Sequence, residues 1–273
     1  MTGAVVRMRG VTARPEIVPA DVRRARIRAE VRARGYVRVS ELTGEYGVSE
    51  VTIRSDLDTL CRDEEISRVH GGAMYRAATE PSYEESLVTH ADAKRRIGEQ
   101  AAARIHSGDT VILDVGSTLG AVAEAIASRR DLRDVTILTN SLSHALTLEP
   151  TVPRNTVIVT GGTLRPRQHS LVEPYASGLF SNIHADVAII GCTGVDAATG
   201  ITNVNLPETE LKRVMVAAAR HVIVAADGTK IGRVDSGIIG PLEDATALIT
   251  DSETADPAAL AAIAATGIEV ITT

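Results

Sequence analysis

Residues 37–73 of the chain read VRVSELTGEYGVSEVTIRSDLDTLCRDEEISRVHGGA, and they predict two short helices joined by a tight turn and followed by a β-hairpin. Ser40 is a candidate N-cap for the first helix, Gly47 supplies the turn, and Ser49 caps the second helix. The second helix has an apolar stripe at helical spacing, formed by Ile53, Leu57, Leu60 and Cys61. The stretch therefore predicts a helix-turn-helix.

Polar side chains face away from that stripe in the first turns of the second helix. They are Glu50, Thr52, Arg54 and Ser55. In a helix-turn-helix, the start of the second helix enters the major groove of DNA. Arg54 suits a guanine edge or a phosphate, and Thr52 and Ser55 suit phosphates. Taken alone, the same face is also typical of the solvated surface of a helical hairpin.

The following residues predict a β-wing. Residues 66–70 have the pattern of a strand, Gly71 and Gly72 that of a hairpin turn, and residues 73–75 that of the returning strand. A wing of this kind would bring Arg68 and His70 near the DNA backbone.

The motif S-E-L-T-x-x-Y-G-V-S-x-x-T-I-R-S-D-L at 40–57, followed by R-V-H-G-G-A at 68–73, resembles the winged helix-turn-helix of the DeoR family of bacterial transcription regulators. The chain departs from the family at Ser55, where members often carry a second arginine, and this affects operator choice rather than fold. The resemblance implies binding to double-stranded operator DNA. The candidate DNA-binding residues are Ser40, Ser49, Glu50, Thr52, Arg54, Ser55, Arg68 and His70.

The length and composition of the chain favour two domains with aliphatic cores. The 273 residues are enough for about two domains of ordinary size. Hydrophobic residues make up 44% of the chain but aromatic residues only 2%. A core of Val, Ile, Leu and Ala suits a parallel sheet flanked by alanine-rich helices.

The net charge of −6 is unevenly distributed. Residues 1–76 hold 14 Arg against 11 Asp plus Glu, whereas the remainder holds 15 basic and 24 acidic residues. The positive excess thus lies with the predicted DNA-binding segment. Because that excess is modest, we expect a homodimer or homotetramer that presents two or more DNA-binding domains.

The cysteine and hydropathy patterns place the chain in the cytoplasm, away from membranes. Cys61 and Cys192 are far apart, which favours reduced core thiols over a disulfide. The sequence has no apolar run of 18 or more residues and no signal peptide. No cluster of His, Cys and Asp has the spacing of a metal site, and we expect neither a metal nor a cofactor.

The chain divides into four predicted segments: a disordered arm at 1–18, the winged helix-turn-helix domain at 19–76, a linker at 77–92 that contains Pro81, and an effector domain at 93–273. Seven strands are predicted in the last segment, at 110–113, 135–138, 156–159, 187–190, 221–225, 247–250 and 268–271. Helices are predicted at 93–105, 119–127, 141–148, 171–180, 208–220 and 257–265. This alternation predicts an α/β domain with a mainly parallel sheet.

The loops after five of the predicted strands are rich in small, hydroxylated and glycine residues. They read D-V-G-S-T at 114–118, T-N-S at 139–141, T-G-G-T at 160–163, G-C-T-G at 191–194 and D-G-T-K at 227–230. In parallel sheets, ligands bind at the carboxyl ends of the strands. Glycines, hydroxyl groups and helix N-termini together suit an anion such as phosphate.

These loops also resemble the DeoR family, through D-x-G-[ST]-T at 114–118, T-N-[SN] at 139–141, G-G at 161–162, E-x-x-x-K-R at 208–213 and D-x-[ST]-K at 227–230. The resemblance covers roughly residues 19–271. It implies an effector domain with a fold similar to those of ribose-5-phosphate isomerase, glucosamine-phosphate isomerase and CoA transferases. It also implies a phosphorylated sugar or a related metabolite as the ligand.

The candidate effector-binding residues follow from these loops: Asp114, Gly116, Ser117, Thr118, Asn140, Ser141, Gly161, Gly162, Thr193, Gly194, Glu208, Lys212 and Lys230. Several of them have an ordinary alternative. Asn140 and Ser141 also serve as helix caps, Gly161 and Gly162 as a turn, and Lys230 as a solvated surface residue.

Two functions from different classes fit this pattern. The first is a repressor of a sugar or carbohydrate metabolism operon that a phosphorylated sugar releases from its operator. The second is a sugar-phosphate isomerase with an added N-terminal domain, for which Asp114, Glu208 and Asp227 would be candidate bases. The loops lack the carboxylate-rich arrangement expected of such isomerases. We therefore expect a regulator with no catalytic residues.

Overall fold

The structure, a computed structural model, describes residues 18–34, 36–61, 66–69, 72–75 and 80–273. The chain forms two compact units, Met1–Glu80 and Pro81–Thr273. Apart from Val18, the predicted arm at 1–18 lies outside the described residues. Each unit has its own hydrophobic core.

The first unit contains three helices and a small antiparallel sheet. Its elements in chain order are α1 (Ala20–Arg34), β1 (Tyr36–Arg38), α2 (Val39–Tyr46), α3 (Glu50–Leu60), β2 (Ile66–Val69) and β3 (Gly72–Tyr75). The sheet has the strand order β1-β3-β2. The predicted winged helix-turn-helix is therefore confirmed, with β1 as a strand that the sequence analysis missed.

Two residues define the turn between α2 and α3. Gly47 ends α2 in the left-handed conformation, with φ of 61°, which glycine adopts without the steric penalty of a Cβ atom. Ser49 caps α3 because its side chain accepts a hydrogen bond from the amide of Thr52. Both assignments made from the sequence are confirmed.

The expectation that Ser40 caps the first of these helices is wrong. Helix α2 begins at Val39, and the preceding Arg38 is an extended N-cap whose side chain makes no capping hydrogen bond. The helix thus starts two residues earlier than predicted, and its first residue, Val39, is buried in the core of the unit. Ser40 consequently lies in the first turn of α2, where it is exposed.

The first unit is held together by an aliphatic core and one buried ion pair. The core contains Ile27, Val31, Val37, Val39, Leu42, Ile53, Leu57, Leu60, Ile66 and Ala73. Cys61, predicted to extend the buried stripe of α3, is only half-buried. The Nε atom of Arg23 on α1 donates to Oδ2 of Asp56 on α3 at 2.6 Å, and both side chains are buried. This pair joins α1 to the helix that carries the polar face.

The second unit is an α/β domain of seven helices and twelve strands within the described residues. The helices are α4 (Tyr83–Val88), α5 (Ala91–Ala102), α6 (Ser117–Ser128), α7 (Leu142–Leu148), α8 (Ala176–Phe180), α9 (Leu206–Ala217) and α10 (Pro257–Ala264). The strands are β4 (Thr110–Leu113), β5 (Thr136–Thr139), β6 (Thr156–Val159), β7 (Thr163–Arg165), β8 (Ser170–Val172), β9 (Ala185–Ile190), β10 (Gly194–Asp196), β11 (Gly200–Asn203), β12 (Ala219–Ala225), β13 (Gly237–Gly240), β14 (Ala247–Thr250) and β15 (Glu269–Thr272).

A seven-stranded parallel sheet forms the centre of this unit. Its strand order is β15-β14-β12-β9-β4-β5-β6, and every neighbouring pair is parallel. The seven strands are those predicted from the sequence, with ends that shift by at most two residues. The predicted mainly parallel α/β fold is confirmed.

Successive residues of the sheet point to opposite faces, and helices cover both. On one face, Ile112 of β4 lies in the same core as Phe180 of α8 and Leu211 of α9. On the other face, Val111 of β4 lies with Ile97 of α5 and other apolar residues of α5 and α6. Burial of both faces explains why these strands are almost continuously apolar.

The predicted linker at 77–92 differs from the structure. Helix α4 occupies Tyr83–Val88, inside that range, and the second unit begins at Pro81. A capping box forms α4: Ser82 accepts from the amide of Glu85, and Glu85 accepts from the amide of Ser82. Residues 76–79 lie outside the described part of the chain.

Two further parts of the second unit differ from the sequence prediction. A helix was predicted at 171–180, but β7 and β8 form an antiparallel hairpin and only Ala176–Phe180 is helical. In addition, β10, β11 and β13 form a separate antiparallel sheet that was not predicted. None of the described helices combines the length and the apolar character needed to cross a bilayer.

Candidate functional site

The exposed face of α3 presents the polar residues that the sequence singled out. Glu50, Arg54 and Ser55 are exposed and Thr52 is half-buried, whereas Ile53 on the opposite face is fully buried. A face of this composition on the second helix of a helix-turn-helix is suited to the major groove.

Two local interactions organise this face. The Nη2 atom of Arg54 donates to Oε2 of Glu50 at 3.0 Å, an i, i+4 pair that is more than half exposed on both sides. The hydroxyl oxygens of Ser49 and Thr52 are 2.9 Å apart. Arg54 is therefore held over the first turn of α3, and its guanidinium stays accessible.

The other predicted DNA-binding residues are less defined. Arg68 lies in β2, paired with Ala73 of β3, but its side chain is outside the described part of the chain, as is all of His70. Ser40 is exposed in the first turn of α2. The structure thus brings together the residues of α3 and leaves the wing contribution as a prediction.

The loop after β4 leads directly into α6 in the second unit. Gly116 is the N-cap of α6 with φ of 130°, a conformation that L side chains rarely adopt, and Ser117 and Thr118 form the first turn of the helix. Gly116 and Ser117 are half-buried. The free amides of a helix start, beside two hydroxyl groups, can bind an anion.

Asp114 begins this loop and is fully buried. Its Oδ2 atom accepts hydrogen bonds from the amide of Gly191, at 2.9 Å, and from the ammonium of Lys212 on α9. Burial raises the pKa of Asp114, while Lys212 acts in the opposite direction. Burial alone would lower the pKa of Lys212, but Asp114 and Glu208 outweigh it and raise that pKa, so Lys212 is protonated at neutral pH.

Glu208, in the first turn of α9, is also buried. Its Oε1 atom accepts hydrogen bonds from the hydroxyl of Ser170, at 2.7 Å, and from the guanidinium of Arg165. Both donors belong to the β7–β8 hairpin, which the sequence analysis missed. Glu208 thus joins the hairpin to the helix that carries Lys212.

The loop after β5 is built from three buried polar residues. Thr139 accepts a hydrogen bond from the amide of Ser141, and Ser141 in turn caps α7 by accepting from the amide of His144. The Nδ2 atom of Asn140 donates to the carbonyl of Leu171 at 3.4 Å. Ser141 is therefore a cap, which was the alternative assignment.

His144 connects α7 with the loop after β4. Its Nε2 atom lies 3.2 Å from the carbonyl oxygen of Gly116. Burial lowers the pKa of His144 to about 4, so the imidazole is neutral at pH 7. A neutral imidazole bonded to this carbonyl carries its proton on Nε2 and fixes the position of the N-cap of α6.

The loop after β12 forms a 3₁₀ turn at Gly228–Lys230. Asp227 caps the turn by accepting from the amide of Thr229, and Asp251 accepts from the amide of Gly228 at 2.6 Å. Lys230 is half-buried and forms no ion pair with any of the described residues.

Hydrogen bonds join these loops to one another. The amide of Gly191, after β9, donates to Asp114, after β4. Cys192 follows Gly191 in the loop after β9. Burial raises the pKa of this thiol to about 12, so it stays protonated.

The amide of Gly232, after β12, donates to the carbonyl of Val195, after β9, and His144 joins the loop after β5 to Gly116. We call this region at the carboxyl edge of the sheet, made of the loops after β4, β5, β9 and β12 together with Glu208 and Lys212 of α9, the strand-end site.

Four predicted effector-binding residues also take part in the packing of the loops. A Cβ atom on Gly162 would lie 2.0 Å from the carbonyl oxygen of Val172, and one on Gly194 would lie 2.3 Å from that of Arg233. Thr193 accepts a hydrogen bond from the amide of Val204 at 2.8 Å, and Gly161 lies against Tyr175. Close packing of loops accounts for glycine at positions 162 and 194.

Sequence reasoning missed several residues of the site. Arg165 and Ser170 lie on the unpredicted hairpin, and His144 is a single buried histidine within a short helix. Lys94 of α5 is buried, donates to the carbonyl of Ser86 at 2.6 Å, and lies within electrostatic range of Asp227 and Lys230. The only sequence signal for Lys94 was a charged residue on the apolar face of α5.

The described residues contain no group of three or more His, Cys, Asp or Glu side chains that would hold a metal ion. A groove of about 510 Å³ opens at the opposite, amino-terminal edge of the sheet, lined by residues that include Arg104, Asp186, Arg220 and His221. Arg104 is engaged there by Glu269 at 2.8 Å. Because the groove lies at the other end of the strands, it is separate from the strand-end site.

Two family models match the chain. The DeoR-like helix-turn-helix domain matches residues 23–79, and the DeoR C terminal sensor domain matches residues 89–252. The first range covers the winged helix, and the second covers all the strand-end loops described above.

Known proteins match over most of their length. The HTH-type transcriptional regulator YulB of Bacillus subtilis (strain 168) is 33% identical over 235 residues, which are 85% of this chain and 89% of that protein. The glycerol-3-phosphate regulon repressor of Escherichia coli (strain K12) is 31% identical over 223 residues, which are 81% of this chain and 87% of that protein. Among solved structures, ribose 5-phosphate isomerase A from Methanocaldococcus jannaschii has a TM-score of 0.39 and 14% identity, over 52% of this chain and 55% of that chain.

Proposed function

The chain belongs to the DeoR family of transcriptional regulators, and on that premise we propose that it represses a sugar or carbohydrate metabolism operon and leaves its operator when a phosphorylated sugar binds. The DNA-binding part of this proposal rests on the polar face of α3. The effector part rests on the strand-end site.

The observation that carries the effector proposal is the start of α6. Gly116, Ser117 and Thr118 offer backbone amides and hydroxyl groups to an anion at the positive end of a twelve-residue helix. Lys230 adds a cation on the same edge of the sheet, one that is not neutralised by a carboxylate of the described residues. A phosphate group matches this combination.

The remaining polar groups favour a ligand with several hydroxyls. The Oδ1 atoms of Asp114 and Asn140 are shielded from solvent and have no hydrogen-bond partner among the described residues. An unpaired buried acceptor costs about 1–3 kcal/mol. A polyhydroxylated ligand that reached these oxygens would supply donors, which supports a sugar or polyol attached to the phosphate.

One relative points to the same class of ligand. The Escherichia coli relative is named as a repressor of the glycerol-3-phosphate regulon, and glycerol 3-phosphate is a phosphorylated polyol. We therefore include this compound among the candidate effectors. Release from an operator requires that the effector bind the DNA-free arrangement more tightly than the DNA-bound one.

The working assembly is proposed to be a homodimer or homotetramer in the cytoplasm. Residues 1–76 carry an excess of only three positive charges, which gives one winged helix weak attraction to DNA. Two or more copies on one operator would multiply that attraction.

The chain is a regulator rather than an isomerase, as its family shows. The carboxylates at the strand-end site agree with this assignment. Oδ2 of Asp114 is engaged by Lys212 and Gly191, and Oε1 of Glu208 by Ser170 and Arg165. Carboxylates held in this way are structural rather than poised to move a proton.

The proposal is tested by fluorescence anisotropy with a labelled duplex from the promoter next to the gene. Ribose 5-phosphate, fructose 6-phosphate and glycerol 3-phosphate are added singly, with ribose, glycerol and inorganic phosphate as controls. We expect at least one ester to weaken operator binding about tenfold or more, since effectors commonly couple by 1–3 kcal/mol. If all three esters leave the Kd unchanged, release by these phosphorylated metabolites is excluded.

A pair of variants locates the effect on α6. Ser117→Ala removes a hydroxyl from the first turn of the helix. Ser128→Ala removes one from its last residue, where the hydroxyl donates to the backbone carbonyl of Glu124. Losing a hydrogen bond to a charged group costs about 1.5–3 kcal/mol, so Ser117→Ala should need at least about tenfold more ester for release. Ser128→Ala should respond like the parent.

A further inference from the structure

The β7–β8 hairpin is attached to the strand-end site at its base. Arg165 and Ser170, at facing positions of the two strands, both donate to Oε1 of Glu208. The amide of Leu171 donates to the carbonyl of Asn140 at 2.8 Å, and the side chain of Asn140 donates back to Leu171. The hairpin therefore contacts two parts of the strand-end site, the first turn of α9 and the loop after β5.

The turn of the same hairpin is attached to the start of the second unit. The amide of Tyr83, the first residue of α4, donates to the carbonyl of Arg167 at 2.7 Å. The side chain of Gln168 is buried, and its Nε2 atom donates to the carbonyl of Pro81 at 2.6 Å. His169 lies 3.1 Å from Glu84. Pro81 is the residue at which the second unit begins.

From these two attachments we infer that the β7–β8 hairpin couples ligand binding at the strand-end site to the position of α4. Gln168 is the positioning residue at the α4 end of the hairpin. That the coupled event is the binding of a phosphorylated effector rests on the proposed function. The mechanical link between Glu208 and Pro81 rests on the contacts alone.

The chemistry of Glu208 explains how a ligand would act on the hairpin. A ligand hydroxyl that donates to Glu208 competes with Arg165 and Ser170 for the same carboxylate, and a ligand phosphate competes with Glu208 for Arg165. Either exchange replaces hydrogen bonds between Glu208 and the base of the hairpin with hydrogen bonds to the ligand. Hydrogen bonds to charged groups are the strongest in such a network. Exchanging them at the base therefore shifts or loosens both strands of the short hairpin.

The geometry at α4 explains how a movement of the hairpin would affect the connection to the DNA-binding unit. The peptide that precedes Pro81 is the covalent connection to the DNA-binding unit. Two hydrogen bonds set the position of residues 81 and 83: Gln168 donates to the carbonyl of Pro81, and the amide of Tyr83 donates to the carbonyl of Arg167. A hairpin that moves or loosens therefore alters the point from which the DNA-binding unit is tethered.

The link is tested first without any ligand, by amide hydrogen exchange. Glu208→Gln removes the charge that holds Arg165 and Ser170, whereas Glu210→Gln removes a charge from the exposed side of the same helix, where Glu210 pairs with Arg213. We expect Glu208→Gln to speed exchange of the Tyr83 amide about tenfold or more while the amides of β9 stay protected. Glu210→Gln should leave Tyr83 unchanged. Unchanged Tyr83 exchange in Glu208→Gln would overturn the inference.

The role of Gln168 is tested in the full-length protein with the same three esters. Gln168→Met keeps the side-chain volume but removes the donor to Pro81, and Gln100→Met makes the same change at an exposed site on α5. Ester binding by calorimetry should match the parent in both variants. Release of operator DNA should be lost only in Gln168→Met.

The two measurements separate the possible failures. If no ester releases the parent, the proposed function fails, and the hydrogen-exchange experiment still decides the link. If the parent responds and Gln168→Met responds equally, the positioning role of Gln168 is wrong.

Discussion

Lys212 and Asp114 form an ion pair in which the two side chains are 3% and 0% exposed, and the residues are 98 positions apart in sequence. The pair joins α9 to the loop that precedes α6. Since the ammonium is engaged by Asp114, Lys212 contributes to the strand-end site by holding the Asp114 carboxylate in place.

Replacing Lys212 by Met should destabilise the second unit by about 3–5 kcal/mol, because it leaves the Asp114 carboxylate buried without its cation. The free energy of unfolding from urea titrations, followed by circular dichroism, measures the loss. In the double variant Asp114→Asn, Lys212→Met the uncompensated charge is gone, so much of the stability should return. A double variant no more stable than Lys212→Met would contradict this account of the pair.

Gly120 is the point at which α6 allows the ring of Tyr83 to approach. A Cβ atom on Gly120 would lie 2.5 Å from the Tyr83 hydroxyl, and the next nearest atom, Cζ of the same ring, is 3.5 Å away. Gly120→Ala should therefore cost about 1–3 kcal/mol through overpacking. Thermal unfolding of the full chain measures this cost.

The same geometry predicts a rescue. With Tyr83→Phe the hydroxyl is absent, so adding Gly120→Ala should then be neutral or should stabilise by up to about 1 kcal/mol through helix propensity. Gly178→Ala in α8, where no atom lies within 4 Å of the added Cβ, is the control and should not destabilise the parent. If Gly120→Ala costs the same with and without the hydroxyl, the contact with Tyr83 is not the cause.

His144 makes the stability of the second unit depend on pH. Its pKa falls from 6.5 to about 4 on burial, so between these values the unfolded chain binds a proton that the folded chain excludes. The stability that comes from the neutral imidazole is complete above pH 6.5 and declines as the pH falls toward 4. At pH 5 the loss should be about 2 kcal/mol.

Urea titrations at pH 7 and pH 5 of the parent, of His144→Gln and of His221→Gln measure this term. His221 is exposed, so its variant should keep the parent's pH dependence. His144→Gln should lose about 2 kcal/mol of the difference between the two pH values. Equal pH dependence in all three proteins would rule out His144 as the source.

Arg54 and Arg95 provide a matched test of the DNA-binding face. Arg54 is paired with Glu50 at 3.0 Å and Arg95 with Glu99 at 2.9 Å, both at i, i+4 spacing, and the two arginines are 59% and 58% exposed. Each replacement by Ala should cost about 0.2–0.5 kcal/mol of stability, as for exposed helix pairs. Only Arg54→Ala should weaken operator binding, by about 1–3 kcal/mol if Arg54 reads a base.

Anisotropy titrations at several salt concentrations distinguish the two possible contacts of Arg54. A base contact would lower the affinity for the operator more than for unrelated DNA, and a phosphate contact would lower both and reduce the salt slope by about one. Operator binding by Arg54→Ala as tight as that by Arg95→Ala would exclude α3 as the recognition helix.

The fold could be predicted wherever local pattern and burial agree. β4 and β14 were predicted with their observed bounds, because short β-branched runs between polar loops determine where a buried strand begins and ends. Ser49 and Gly47 were assigned correctly because capping and left-handed turns depend on the residue itself.

The rest depends on contacts that are distant in sequence. Leu171 and Val172 were predicted as the start of a helix at 171–180. Pairing with Thr163–Arg165 makes them part of a strand. Helix α4 is six residues long, too short for periodicity, and is formed by the Ser82–Glu85 capping box. The strand-end loops were recognised from the sequence. The ion pairs of Lys212 with Asp114 and of Glu208 with Arg165 join residues far apart in sequence and could not be predicted from spacing.

The order of strands in the parallel sheet has a consequence for protein synthesis. β4, which leads into the Gly116 loop, lies between β5 and β9, and α9 with Lys212 follows β9 in the chain. Polypeptides leave the ribosome from the N-terminus, and domains fold as units in that order. The last strand of the winged helix ends at Tyr75, whereas the strand-end site is complete only after α9 has been made. Each newly made molecule thus completes its winged helix while the strand-end loops still lack the helix that holds Asp114 in place.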